Sequence, residues 1–236
     1  MRVAIMQPYF FPYIGYFQLM AACDVFLVYD DAQYIYGGWV NRNRMLVNGT
    51  AQWMTVPVAA ASHELPILER EYLLRDRLAL RLPARIAGAY RSAPFFAQTM
   101  PLVEDVLAFP QPGVAAFNTN LLRRVATHLG IETPIRQTSE LDKDNSLVGG
   151  QRRVIDICSR LGATTYINSI GGRELYSADA FAEHGIELRF LSCEVQPYPQ
   201  FGAPHVPLLS IIDVLMFNDL PAVRGMLEQY ALLPGR

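Results

Sequence analysis

Apolar positions fall along this chain in runs whose period changes from segment to segment. Residues 2–6 (RVAIM) form a short apolar run closed by Gln7 and Pro8, the pattern of a buried strand. After PYFFPYIG, the residues Tyr16, Phe17, Leu19 and Met20 give a helical stripe running to about Cys23. Asp24–Asp31 (DVFLVYDD) reads as a second buried strand, an apolar run bounded by acids. Strand, turn, helix, strand opens a parallel α/β unit with a right-handed connection. Residues 44–58 alternate about Asn48-Gly49, a strong hairpin signal. Residues 73–130 carry helical patterns of Leu, Ala and Arg, broken at Pro94, Pro101 and the PQPG of 110–113. A helix is predicted from about Gln151 to Leu161, with Val154, Ile155 and Cys158 facing a core, then strands over 164–168 and 186–195. Two terminal helices begin near Ser210 and Leu220. The pattern predicts an α/β fold: a mainly parallel sheet flanked by helices, with a β-hairpin. It is read as a single domain over 1–236 carrying a helical insertion at about 73–130.

Composition narrows the class. Of 236 residues, 51% are hydrophobic and 18% charged, so a sizeable core is expected. A net charge of -2 gives no electrostatic basis for binding duplex nucleic acid, though a local basic patch remains open. No apolar run reaches the roughly 18 residues a membrane span needs. Arg2 is followed by only four apolar residues before Gln7, so no signal peptide is expected. Cys23, Cys158 and Cys193 are odd in number and far apart, which suits a reducing, cytoplasmic compartment and neither a disulfide framework nor a zinc site.

Chemistry concentrates at predicted strand ends. The loop Gln7–Gly15 leaves a parallel strand and enters a helix, where α/β sheets bind ligands and helix amides favour anions. Gln7, Tyr9 and Tyr13 supply polar tips, and Gly15 permits close approach; the competing reading is a rigid aromatic plug on the sheet edge. Asp30 and Asp31, with Gln33, stand at the second strand's end as general-base candidates or as a solvated cap. In Asn41-Arg42-Asn43-Arg44 the two arginines share one strand face, as a clamp for phosphate or carboxylate or as a charged edge. Trp39 before them can cover a sugar or base. Asn168, Ser169, Gly171, Gly172 and Arg173 end another strand with an amide nest or a plain turn, and 146–151 with Gln151 has the same character. Ser210 and Asp213 fit a helix cap and first-turn acid. The histidines at 63, 128, 184 and 205 have no metal-binding spacing, and the GxSxG, GxGxxG and P-loop motifs are all missing.

The segments MQPYFFPYIGYFQLM, VYDDAQY, GWVNRNRMLVNG, GGQRRVIDICSRLGATTYINSIGGRELY and LSIIDVLMFND, in that order from residue 6 to about 219, resemble the WbqC-like family. The resemblance marks Gln7, Pro8, Tyr9, Pro12, Gly15, Asp30, Asp31, Gln33, Asn41, Arg42, Asn43, Gln151, Asn168, Gly171, Gly172, Tyr176 and Asp213 as motif positions. Members often occur among genes for O-antigen and other surface polysaccharides. The resemblance therefore implies an enzyme, a transferase of nucleotide- or carrier-activated sugars, with N-acyl or aminoacyl transfer to an amino sugar as one form. In that scheme Asp30 or Asp31 takes a proton, Tyr13 assists, and Arg42, Arg44 or Arg173 holds phosphate. Where relatives carry lysines after the hairpin, this chain has Pro57-Val58-Ala59-Ala60-Ala61-Ser62. Two alternatives stay open: a nucleotidylyltransferase or other adenylate-forming enzyme, by analogy with the strand–loop–helix opening, and a non-catalytic binding protein. The expected partner is a small molecule. Cofactor and oligomeric state are open.

Overall fold

The first strand, β1 (Arg2–Met6), sends successive side chains to opposite faces, and each face meets its own core. Ala4 joins Phe26, Val28, Ile167 and Leu191 on one side. Val3 and Ile5 join Leu27, Tyr166, Leu188 and Phe190 on the other. Burial on both faces is why the strand reads as an unbroken apolar run. The computed structural model describes every residue except Asn145, Val148, Ala203 and Arg236; Val148, in the expected segment 146–151, lies outside the described residues.

From β1 the chain runs through α1 (Ile14–Ala22) to β2 (Val25–Val28), then into the hairpin strands β3 (Arg42–Val47) and β4 (Thr50–Thr55). Asn48 and Gly49, with φ of 49° and 75°, make the left-handed pair a tight hairpin turn requires. Helices α2 (Arg77–Tyr90), α3 (Phe96–Leu107) and α4 (Val114–Leu129) form the expected helical segment and lead to β5 (Ile135–Gln137). Pro101 does not break its helix as expected, and α2 also runs through Pro83. The buried stripes Leu82, Ile86, Tyr90 and Met100, Val103, Val106 offset the hydrogen bond each proline removes. The chain continues through α5 (Gly150–Arg160), β6 (Thr165–Ser169), α6 (Ala178–Ala182), β7 (Glu187–Cys193), α7 (Ile211–Phe217) and α8 (Leu220–Met226). It ends in β8 (Tyr230–Pro234).

Six strands form one sheet in the order β5-β2-β1-β6-β7-β8, parallel except for β8, and the hairpin stands apart as a separate antiparallel pair. The fold is α/β. Helix α1 carries the chain from β1 toward the β5 edge over one face, while α5 and α6 carry it the other way over the opposite face. Opposite directions on opposite faces keep one handedness. The direction therefore reverses between β1 and β6, and a crevice opens at their C-terminal ends. Among the described residues no helix is long and apolar enough to cross a membrane.

Candidate functional site

The loop after β1 divides its aromatic residues between two jobs. Phe10 and Phe11 are fully buried and meet edge to face at 5.1 Å between centroids, plugging the sheet's end. Tyr9 and Tyr13 turn the other way and line a cleft of about 310 Å³. The loop thus packs with Phe10 and Phe11 and lines the cleft with Tyr9 and Tyr13.

The loop's backbone is tied down almost continuously. Asn43 Nδ2 donates to the carbonyls of Phe10 and Phe11 at 3.1 and 2.9 Å, Asn118 Nδ2 to that of Pro8 at 2.8 Å, and Ser210 Oγ to that of Phe11 at 2.8 Å. The Ile211 amide donates to the Pro12 carbonyl and the Phe10 amide to the Trp39 carbonyl. These anchors hold Phe11 at a φ of 40°, a left-handed conformation that costs a phenylalanine free energy. Gly15 lets the Tyr13 ring lie across the start of α1: a Cβ there would stand 2.4 Å from Tyr13 Cε2.

Four segments converge on the cleft. Tyr9, Pro12 and Tyr13 come from the β1 loop; Trp39, Asn43 and Arg44 from the hairpin; Ser169, Ile170 and Gly171 from the end of β6; Ser192 and Cys193 from the end of β7. Leu208 closes one side, its carbonyl accepting from Arg44 Nη2 at 3.1 Å. Tyr13 Oη and Ser169 Oγ stand 3.4 Å apart across the crevice. Burial pushes the hydroxyls of Tyr9 and Tyr13 above the ordinary value of 10.0, so at neutral pH both keep their protons and act as donors. Burial likewise raises the Cys193 thiol, which stays protonated. Arg44 Nε is enclosed without a hydrogen-bond partner among the described residues. Two larger surface hollows, about 560 Å³ beside Tyr72–Asp76 and about 720 Å³ beside Gly130 and Arg224, contain none of the residues the sequence nominated. Convergence of loops, rather than size, singles out the cleft at the switch point.

Other nominated residues have different partners. Asp30 is fully buried and accepts from Gln137 Nε2, Thr138 Oγ1, and the amide and hydroxyl of Ser139 at 2.6–3.1 Å, pinning β2 to the segment after β5. Asp31 pairs with Arg153 at 2.6 Å and Lys143 at 3.0 Å. Neither lines the cleft, and their oxygens are engaged as anchors. Gln7 Nε2 donates to the Gln33 carbonyl at 3.2 Å, and Gln33 Nε2 to that of His63 at 3.3 Å. Asn41 bonds the Val56 carbonyl across the hairpin. Arg42 and Arg44 share a strand face as expected, yet each lies over an indole: Arg42 over Trp53 at 4.2 Å, Arg44 over Trp39 at 5.7 Å. Arg42 also donates to the Gly37 and Gly38 carbonyls. Asn168 caps its own neighbour, Ser169 N to Oδ1 at 2.7 Å, and Gly172 makes room for it, since a Cβ there would stand 2.9 Å from Asn168 Nδ2. Gln151 accepts from the Ser177 amide at 2.5 Å. Tyr176 packs edge-on against Tyr166 and Phe181, and Arg173 Nε is enclosed without a partner among the described residues. Ser210 caps α7 as expected, accepting from the Ile212 amide at 3.2 Å. Asp213 is the first-turn acid of α7, as expected, and is buried among Tyr90 Oη, Tyr198 Oη and Gln200 Nε2, at 2.9, 2.7 and 2.6 Å. The sequence reading passed over Cys193, Ser192 and Leu208 as site residues; the first two sit at the C-terminal end of a parallel strand, the position that nominated Ser169.

The model of the WbqC-like protein family matches residues 7–224. The chain is also similar to Uncharacterized protein Rv1507c of Mycobacterium tuberculosis (strain ATCC 25618 / H37Rv): 27% identical over 219 residues, covering 92% of this chain and 93% of that one. No solved structure matches.

Proposed function

The chain belongs to the WbqC-like protein family, and from that premise we propose that its β1–β6 cleft binds a nucleotide-activated sugar and transfers a group to it in the making of surface polysaccharide. One observation carries the reading: the hydroxyls of Tyr13 and Ser169 meet at the switch point of a parallel sheet, where such folds receive ligands. The cleft's volume falls at the lower end of the roughly 300–1,000 Å³ of small-molecule sites. Trp39 offers an aromatic surface to a base or sugar, Arg44 a cation to a diphosphate, and Tyr9, Tyr13, Ser169 and Ser192 hydroxyls to the sugar.

N-acyl transfer to an amino sugar is the form these groups serve best. The sugar amine attacks the acyl carbonyl, a C–N bond forms, the bond to the acyl carrier breaks, and the amine's proton leaves with the carrier or to water. Tyr13 and Ser169 donate to the oxyanion that develops between those steps. Asp30 and Asp31 serve as anchors of the β2 end. Calorimetry against UDP-glucosamine, dTDP-4-amino-4,6-dideoxyglucose, UDP-N-acetylglucosamine and GDP-mannose tests the binding claim, with mass spectrometry of acylated amino-sugar nucleotides testing transfer. Binding to at least one, weakened in Tyr13→Phe, supports the reading; silence across the panel sinks it.

A second reading, a non-catalytic binder, draws support from the lining itself: no carboxylate or imidazole is among the described residues that wall the cleft. Binding without turnover under every acyl donor tried would favour it.

A further inference from the structure

We propose that the outer face of α2, with the hairpin strand β4 beside it, docks on an anionic lipid surface. Residues 75–91 carry five arginines, at 75, 77, 81, 85 and 91, against the single acid Asp76, in a chain whose net charge is -2. Asp76 is spent capping the helix, accepting from the Leu78 amide at 2.7 Å. Helix α2 buries Leu82, Ile86 and Tyr90 against the protein, so the opposite side carries the ridge Arg77, Arg81, Arg85. Leu78 and Leu80 flank that ridge and are 63% and 66% exposed. Large aliphatic side chains left this open beside cations that have no ion-pair partner among the described residues are what an interfacial helix inserts among lipid headgroups.

The hairpin extends the face toward the cleft. Arg85 donates to the Trp53 carbonyl at 2.8 Å, Trp53 is 42% exposed, and its ring lies 5.3 Å from that of Trp39 on the cleft wall. Tryptophan favours the headgroup layer of a bilayer. A nucleic acid also attracts arginines, but it would leave Leu78 and Leu80 without a role; lipid uses the charge and the leucines together.

The claim does not depend on the ligand assigned to the cleft, because its test reads vesicle binding alone. The full chain is sedimented with phosphatidylcholine vesicles and with vesicles containing phosphatidylglycerol, in low and high salt. The expected result is binding to anionic vesicles at least fivefold above neutral ones, weakened by salt. Each of Arg77→Gln and Arg81→Gln should lower it about fivefold. The double variant Leu78→Ser, Leu80→Ser, on the helix's exposed side, should also weaken binding while circular dichroism shows an unchanged fold. Equal sedimentation with and without anionic lipid overturns the proposal. So does binding that responds to the arginines and not to the leucines, with equal retention on heparin, which would mark an acidic macromolecule as the partner.

Discussion

The Tyr13 hydroxyl stands 3.4 Å from that of Ser169, although 156 positions separate them in the chain. The pair joins the loop that follows β1 to the end of β6, across the line where the sheet's connections reverse direction. Neither residue forms a core, and each depends on neighbours that do: Phe10 and Phe11 under the first loop, Asn168 beneath Ser169. If the pair faces a ligand, removing either hydroxyl costs binding and leaves the fold intact. Tyr13→Phe and Ser169→Ala should each weaken the tightest nucleotide sugar by about five- to tenfold in calorimetry, with melting temperature essentially unchanged.

Gly15 offers a sharper case. A methyl at this position meets the Tyr13 ring, a movable side chain, and gains the helix preference of alanine. Gly15→Ala should therefore change stability by no more than about 1 kcal/mol, while displacing Tyr13 from the cleft wall and lowering affinity more than Tyr13→Phe does. Thermal melts and titrations on the same preparation check both halves.

Asp31 separates anchor from catalyst. Its carboxylate sits between Arg153 and Lys143 in a largely buried cluster, and Asp31→Asn strands two cations. Stability should fall by on the order of 3 kcal/mol in urea denaturation. Ligand affinity of the molecules that remain folded should be unchanged. A stable variant that binds ligand normally but has lost turnover would instead return Asp31 to a catalytic role.

Asp213 gives a pH signature. Burial raises its carboxyl above the ordinary 3.8, with the donors Tyr198, Gln200 and Tyr90 opposing the shift. A raised acid holds its proton more tightly folded than unfolded. It therefore adds stability that is fully present below about pH 4 and is lost as pH rises through the folded value. Exposed carboxylates with lowered values, Asp24 and Asp144 among them, act in the opposite sense, so the contrast must be made against a variant. The stability of wild type minus that of Asp213→Asn should decrease as pH rises above about 4, read by urea denaturation from pH 4 to 8.

Much of the fold was legible because it is written in local periods: the apolar runs of β1 and β2, the Asn48-Gly49 turn, and the helices beginning near 151, 210 and 220. The short strand β5 was not, since three residues with one exposed arginine among them carry no period. Nor was β8, whose half-buried YALLP run looks like the tail of a helix until its antiparallel pairing with β7 is seen. At the site, the sequence offers both a polar-tipped loop and an aromatic plug, but which rings turn inward depends on Asn43, Asn118 and Ser210, distant in sequence. Asp30 and Asp31 stand out in the sequence by their place at a strand end, their acidity and the family motif. Their engagement by Thr138, Ser139, Lys143 and Arg153 is tertiary, and no reading of neighbours along the chain reaches it.

Gly171 permits the most direct test. It lines the cleft, its backbone is not left-handed, and nothing lies within 4 Å of the position a Cβ would take. Gly171→Trp should fill the cleft without straining the fold. Titration of the wild type's best nucleotide sugar into this variant should show affinity reduced at least tenfold, about 1.4 kcal/mol, at an unchanged melting temperature. Equal affinity in the two proteins would contradict the account, because the ligand would then bind somewhere other than the crevice between β1 and β6.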